Sequence, residues 1–528
     1  MRNILLSILF LFYFLPIFCE GYMFRIELKD KGNPPFTIEN PLEYLSEKSI
    51  ERRERQGIPV DSTDLPIDPL YLEEIRFTGA SITAISKWVK TVTVYLPDLS
   101  LVPELKNLDF VDTLYCVWKG NSLPGYSTQE KFVKTESSTP SLKTEMSSYT
   151  QVSMLKVDLL HQAGFKGKDM SIAVIDAGFL DADQIPAWDF NQVKEVKNFT
   201  YESGDPLRIT QAHGTQVLSC MLSNLFGTAP EADYYLFQSE VNESEYPVEE
   251  DYWVAAVEYA DSIGIDILNT SLGYTLFDDP SMNHVYEQFD GKTIPASKAA
   301  SMAGNKGMLL FISAGNEGTK PWKKISVPND ADNIITVGSV NAGSVIAASS
   351  SQGPTADGRV KPDLCAMGVN ATIISYGGIV TNGSGTSYAS PILAGAGACL
   401  WQALPHKTSK EIIALMKSAG DRFATPNFVY GYGIPDVNKV YLENVLNVTE
   451  ISINRKSLLF FDATTNCLYM ENSDLEKISL QIFNSQGQLI FHDNDVAMQV
   501  DLNNLNQGVY ITHVRQGEKQ AVQKFVKW

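Results

Sequence analysis

The chain reads as an α/β protein: a parallel sheet with helices on both faces, preceded by a small α+β module and followed by a small β-sandwich. Three observations predict this. Between residues 151 and 446, short apolar runs of strand character alternate with helical stretches, a pattern that specifies parallel strands joined by crossover helices. Before it, FRIELKD and VTVYLPDL alternate like strands around the charged, helical LEYLSEKSIERRERQG. After Val448, SLQIFNSQGQLIF, AMQVDLNNL and QGVYITHVRQGEKQAVQKFVKW are short alternating runs separated by Gly, Asn and Asp turns, with no helical period.

In order along the chain, MRNILLSILFLFYFLPIFCEG carries one positive charge and then an apolar run from Ile4 to Phe18. That run is too short for a membrane span and contains Pro16, so residues 1–20 are expected to be a cleaved secretory signal peptide. The α+β module covers 21–120. Residues 121–150 include SLPGYSTQEKFVKTESSTPSLKTEMSSYT, rich in Ser and Thr with few large apolar side chains, and are expected to be a flexible, protease-accessible linker. In the 151–446 region SIAVID, ADYYLF, IDILNTS, MLLFISAGN and NIITVGSV are strands. HGTQVLSCML, DYWVAAVEYADSIG, KAASMAGNKG, the stretch after Pro391 and SKEIIALMKSAG are helices. Residues 447–528 form the terminal sandwich.

The net charge of −20 and the absence of a basic cluster exclude a nucleic-acid partner. Cys116, Cys220, Cys365, Cys399 and Cys467 follow Cys19; they are odd in number and widely spaced, which is not a disulfide framework, and Cys220 and Cys399 lie in apolar helical runs as buried thiols would. No acidic run has calcium-loop spacing, so no cofactor or metal is assigned and a structural calcium is left open.

NGSGTSYASP raises the functional question. Small, flexible residues lead into Ser387 at the mouth of an apolar helix. Taken alone, this fits a helix cap as well as a nucleophile. Asp176 closes the apolar strand SIAVID, where carboxylates serve either a sheet-edge site or a turn. His213 stands before a Gly-Thr pair at a helix start, where a lone histidine is commonly structural. Together the three supply what acyl transfer needs. A serine hydroxyl requires a base, the imidazole requires a carboxylate to fix its tautomer, and the order Asp, His, Ser is one of the known triad orders. FISAGNEG adds Asn316 as a neutral donor for an oxyanion, with the Ser387 backbone N–H as the second.

VIDAGF, HGTQV, NTSLGY, SAGNEG, SSQGPTADGRVKPDLCAMG and GTSYASP occur in the order characteristic of the subtilisin family, and region 151–446 resembles that family of serine peptidases. The resemblance implies Asp176 as orienting acid, His213 as general base and acid, Ser387 as nucleophile and Asn316 as oxyanion donor. It further implies that Ser271, Leu272, Gly273, Ala314 and Gly315 line the substrate cleft, substrate pairing there as an added strand. Ala177 stands where the family usually has Ser or Thr, and Met367 replaces a common proline; neither removes a reacting group. The first module, in FTGASITAISKWVKTVTVYL, resembles the inhibitory prodomains of secreted subtilases. SLQIFNSQGQLI, LNQGVYITHV and KFVKW resemble the sorting domain of the type IX secretion system.

The expectation is therefore a secreted or surface-attached serine endopeptidase made as a zymogen. It would be a monomer acting on protein or peptide substrates, with the type IX secretion machinery as a partner. The competing expectation, motivated by Ala177, is an inactive surface binding protein that keeps the fold. An esterase has less support, because no G-x-S-x-G elbow is present.

Overall fold

The computed structural model describes residues 21–120, 142–201, 204–209, 211–446 and 459–527, apart from 463–466, 471–476, 485–487, 498 and 517–518. The expected signal peptide and residues 121–141 of the expected linker lie outside these. The chain divides into two units, Met1–Tyr441 and Leu442–Trp528.

The first unit opens with a four-stranded antiparallel sheet of order β2-β3-β1-β4, built from β1 (Gly21–Leu28), β2 (Ser81–Ser86), β3 (Thr91–Leu96) and β4 (Val111–Gly120). Helices α1 (Glu47–Arg55), α2 (Pro69–Phe77) and α3 (Val102–Lys106) complete it. Its own core gathers Ile26, Ile75, Val92, Val94, Leu96 and Leu105. Then α4 (Leu142–Ser153) and α5 (Val157–Gln162) lead into the larger domain. Helix α4 takes up the last nine residues of the expected linker, Leu142 to Thr150. Gln151 fixes it, accepting from the Thr372 N–H at 2.7 Å and donating to the Thr372 carbonyl at 3.2 Å.

The larger domain holds a seven-stranded sheet of order β11-β10-β9-β8-β5-β7-β6. Its strands are β5 (Ser171–Asp176), β6 (Val193–Asn198), β7 (Asp233–Gln238), β8 (Ile267–Thr270), β9 (Leu309–Ser313), β10 (Ile335–Val340) and β11 (Leu364–Met367). Every pairing in it is parallel. On one face, Ala173, Ile175, Leu268, Leu310 and Ile312 pack with residues of α7 (Val248–Ser262) and α8 (Pro295–Asn305). The other face meets α6 (His213–Leu222) and α9 (Thr386–Ala403), with Gly397 of α9 set directly over the Phe311 ring. A hairpin, β12 (Ala371–Ile374) and β13 (Val380–Gly383), precedes α9, and α10 (Ser409–Ser418) and α11 (Val437–Leu446) end the domain. Strand β5 has β8 on one side and β7 on the other. The chain order reverses there, and such a switch point opens a crevice at the carboxyl ends of the strands.

The second unit has two antiparallel sheets. One comprises β14 (Leu459–Asp462), β15 (Cys467–Met470) and β18 (Gln499–Asp501); the other β16 (Ile478–Asn484), β17 (Leu489–Asp493), β19 (Gly508–Gln516) and β20 (Lys519–Lys527). Leu468, Leu480, Ile482, Leu502, Val514 and Phe525 share one core. At the chain end Lys527 donates to the carbonyls of Leu502, Asn503 and Leu505 at 2.6–2.8 Å, which ties the last strand to a turn. Among the described residues no cysteine is in a disulfide, and no helix is long and apolar enough to cross a membrane.

The first module is joined to α7 through buried charge. Arg52 donates to Asp261 and to the Ile265 carbonyl. Arg53 bridges Asp261 at 2.5 Å and Asp64 at 2.8 Å. Arg25 reaches Asp251 at 2.5 Å and Glu250 at 3.3 Å, while Glu258 accepts from the N–H groups of Lys87 and Trp88, both at 3.0 Å. A buried carboxylate stripped of its cation is strongly destabilising, because the desolvation cost stays when the partner goes. Arg52→Ala leaves Asp261 with Arg53 alone and should cost the full chain about 1.5–3 kcal/mol for the lost charged hydrogen bonds, read as a lowered melting temperature and faster protease attack on the first module. Asp64 supplies the pH test. Burial works against its charge, but Arg53 and Lys306 outweigh that and hold its carboxyl at about 2. This lies below the ordinary aspartate value of ~3.9, so its contribution, about 2 kcal/mol, is present above pH ~4 and is lost as pH falls toward ~2. Acid titration of unfolding should show that loss, and Asp64→Asn should remove it.

Candidate active site

Asp176 is the last residue of β5 and is wholly buried at the sheet's carboxyl edge. Burying a carboxylate requires donors. Its Oδ1 accepts the Ala177 N–H at 2.8 Å and faces His213 Nδ1 at 2.7 Å. Its Oδ2 has no hydrogen-bond partner among the described residues, and alanine at 177 offers it no hydroxyl. His213 is the first residue of α6. The next residue must be glycine: a Cβ at 214 would stand 2.4 Å from the Gly178 carbonyl, to which the Gly214 N–H donates at 3.0 Å. The turn after Asp176 and the helix behind His213 are thereby pressed together, and the carboxylate–imidazole contact follows from that seat.

Ser387 is the second residue of α9. Ser271, one residue past β8, donates its hydroxyl to the Ser387 carbonyl at 2.9 Å. Asn316 follows β9. Its amide oxygen accepts from the Thr386 N–H at 3.0 Å and the Thr386 hydroxyl at 3.2 Å, which turns the NH₂ end toward other acceptors. His213, Ser387 and Asn316 all line one cavity of about 600 Å³, together with Ser271, Leu272 and Gly273. Gly315 lines it as expected. Ala314 does not: it is wholly buried with its N–H on the Val337 carbonyl, and its neighbour Ser313 lines the cavity instead. Among the described residues no group of three or more His, Cys, Asp or Glu could hold a metal ion.

Glu240, Glu245, Lys320 and Tyr388 are among the lining residues that were not singled out from sequence. Glu240 accepts from the Tyr274 hydroxyl at 2.6 Å, and Lys320 pairs with Glu317 at 2.8 Å on the rim. Tyr388 directly follows the nucleophile candidate in GTSYASP, which is the one sequence signal that could have drawn attention to it.

A carboxylate, an imidazole and a serine hydroxyl gathered at the crevice of a parallel sheet define the class: an α/β serine hydrolase. Residues 167–433 match the subtilase family, peptidase S8, and the chain belongs to that family. Residues 23–135 match the peptidase S8 propeptide domain of Bacteroidota, and residues 464–528 match the secretion system C-terminal sorting domain. Subtilisin E of Bacillus subtilis is 28% identical over 292 residues, covering 54% of this chain and 69% of that protein. The membrane-bound transcription factor site-1 protease of Rattus norvegicus is 31% identical over 252 residues, 46% of this chain but 22% of that protein. Among solved structures, the epidermin leader peptide processing serine protease of Staphylococcus aureus superposes with a TM-score of 0.54 at 17% identity, over 83% of this chain and 99% of that one. The protein is a subtilisin-like serine endopeptidase with a propeptide and a C-terminal sorting domain.

Thr386 is the residue through which Asn316 is held, since its hydroxyl also accepts the Gly315 N–H at 3.2 Å. Thr386→Val deletes the hydroxyl bond and keeps the backbone one, so it should loosen the Asn316 side chain and lower kcat by up to about tenfold, about 1.4 kcal/mol, while KM stays within about twofold; steady-state kinetics on a peptide amide checks this.

Proposed function

We propose that this endopeptidase cleaves peptide bonds through Ser387, His213 and Asp176, with Asn316 as oxyanion donor, and that the first module holds it as a zymogen. The observation that carries the reading is the 2.7 Å contact of His213 Nδ1 with buried Asp176, in the cavity that Ser387 lines. With Nδ1 committed to the carboxylate, the imidazole presents Nε2 as the base. Ser387 Oγ attacks the scissile carbonyl carbon and its proton passes to Nε2. The carbonyl oxygen becomes an anion, received by the Asn316 amide and by the Ser387 N–H at the start of α9. Asp176 stabilises the imidazolium. Collapse transfers the proton to the leaving amine and leaves an acyl-enzyme, and a water activated by the same imidazole then releases the acid.

The substrate backbone lies along Ser271–Gly273 as an added strand. The sorting domain and the propeptide imply a secreted or cell-surface enzyme; the route is cleavage of residues 1–20 at the inner membrane and type IX export across the outer one. Strand β4 ends at Gly120, and Lys119 on it pairs with Asp279 at 2.7 Å. Self-cleavage within residues 121–150 would release the first module.

A small fluorophosphonate should label the wild-type chain at Ser387 and leave Ser387→Ala unlabelled; peptide cleavage by Ser387→Ala at the wild-type rate would sink the assignment. Ser387→Ala, His213→Ala and the double variant should each lose on the order of 10⁶ in kcat, because the groups act as one unit. Losses that multiply in the double variant would contradict it. Asn316→Leu should lower kcat by about 10²–10³ with KM little changed.

A further inference from the structure

Helices α6 and α9 bring His213 and Ser387 to the cleft, and neither begins with a side-chain cap: Ala212 and Gly385 occupy the cap positions without such a bond. The first turn of a helix has unsatisfied N–H groups and frays readily unless tertiary contacts hold it. Each start is tied to its own surroundings, α6 through Gly214 to Gly178 and α9 through Thr386 to Asn316. A link between the two comes from Tyr388. Its hydroxyl donates to Gln216 Oε1 at 2.7 Å, across 172 residues of sequence.

Both ends of this bond adjoin the chemistry. Tyr388 follows Ser387 directly, and Gln216 lies three residues after His213, one turn along the same side of α6. Both side chains are buried. Gln216 is oriented by a second bond, its Nε2 donating to the Ser375 hydroxyl at 3.2 Å, just after β12. The tyrosine ring is clamped as well. Its centroid stands 6.3 Å from that of the His213 imidazole, tilted by 39°. On another side β13 passes so close that a Cβ at Gly383 would be 2.4 Å from a ring carbon. Burial raises the phenol well above its usual range, so it stays protonated and always able to donate.

We infer that Tyr388 is a positioning residue: its bond to Gln216 latches the nucleophile's helix to the base's helix and holds the Ser387 hydroxyl in register with the imidazole. This rests on the triad reading given above and extends it to a pair that acts through the placement of Ser387 and His213. Misplacing reacting groups by about 1 Å costs on the order of 10²-fold in rate, so a latch at this point acts on kcat.

The test uses Tyr388→Phe, which keeps the ring and its packing and deletes only the hydroxyl, and Gln216→Leu, which removes the acceptor. Each should lower both kcat on a peptide amide and the second-order rate of fluorophosphonate labelling by about 10- to 100-fold, with KM within twofold and the melting temperature little changed. Tyr388→Phe/Gln216→Leu should be no slower than the slower single variant, since both delete the Tyr388–Gln216 bond and only Gln216→Leu also loses the bond to Ser375. Were Phe at 388 merely a packing change, stability would move and the rates would not. Wild-type rates in Tyr388→Phe, or losses that multiply in the double variant, would overturn the latch while wild-type labelling at Ser387 leaves the triad standing. Failure of wild type itself to label would remove the triad and the latch together.

Discussion

A carboxylate with no exposure to water at the end of a central strand is the constraint around which this molecule is arranged. Asp176 is placed there by the parallel sheet, and its charge is tolerable because an N–H and an imidazole meet the same oxygen. Everything that follows in the cleft depends on those partners being in place. The Gly214 seat presses the helix that carries His213 onto the turn beyond Asp176, and Ser271 holds the backbone of Ser387 from the neighbouring strand. The sheet contributes rigidity, while the cleft residues come from strand ends and helix starts where the backbone is free to be aimed.

The same logic of buried, compensated charge joins the propeptide to the enzyme. Helix α7 turns Glu250, Asp251, Glu258 and Asp261 toward the first module, and three arginines and a pair of backbone N–H groups answer them. Such pairs add little net stability when made and cost much when one partner is withdrawn. His284 extends the network, contacting Glu250 Oε1 at 2.5 Å while Arg25 meets Oε2.

Sequence reading reached the parts of this structure that are local. Strand β5 and helix α6 coincide with SIAVID and HGTQVLSCML residue for residue, because a buried strand and a helix of one apolar face carry strong patterns. Strand β6, VKEVKN, escaped because an edge strand with alternating charge looks like a surface loop. The hairpin β12–β13 was absorbed into the approach to Ser387, and α4 was hidden by the serines and threonines around it. The candidate site was legible where a motif marks it: His213, Asn316 and Ser387 line one cavity, and Asp176 meets His213. Ala314 is buried while Ser313 lines the cavity, since a motif gives the stretch that borders a cleft but not which side chain is buried beneath it. Contacts such as Tyr388 with Gln216, or Arg52 with Asp261, join residues 172 and 209 positions apart, and no spacing within either segment announces them.

The central claim is that the His213 Nδ1 proton is held by the buried Asp176 carboxylate, and proton NMR reads that bond directly. A far-downfield, exchange-protected resonance coupled to the His213 Nδ1 nitrogen should be present in the wild-type protein, shift when Ser387 is phosphonylated, and vanish in Asp176→Asn. Absence of that resonance in wild type, or its persistence unchanged in Asp176→Asn, would contradict the account.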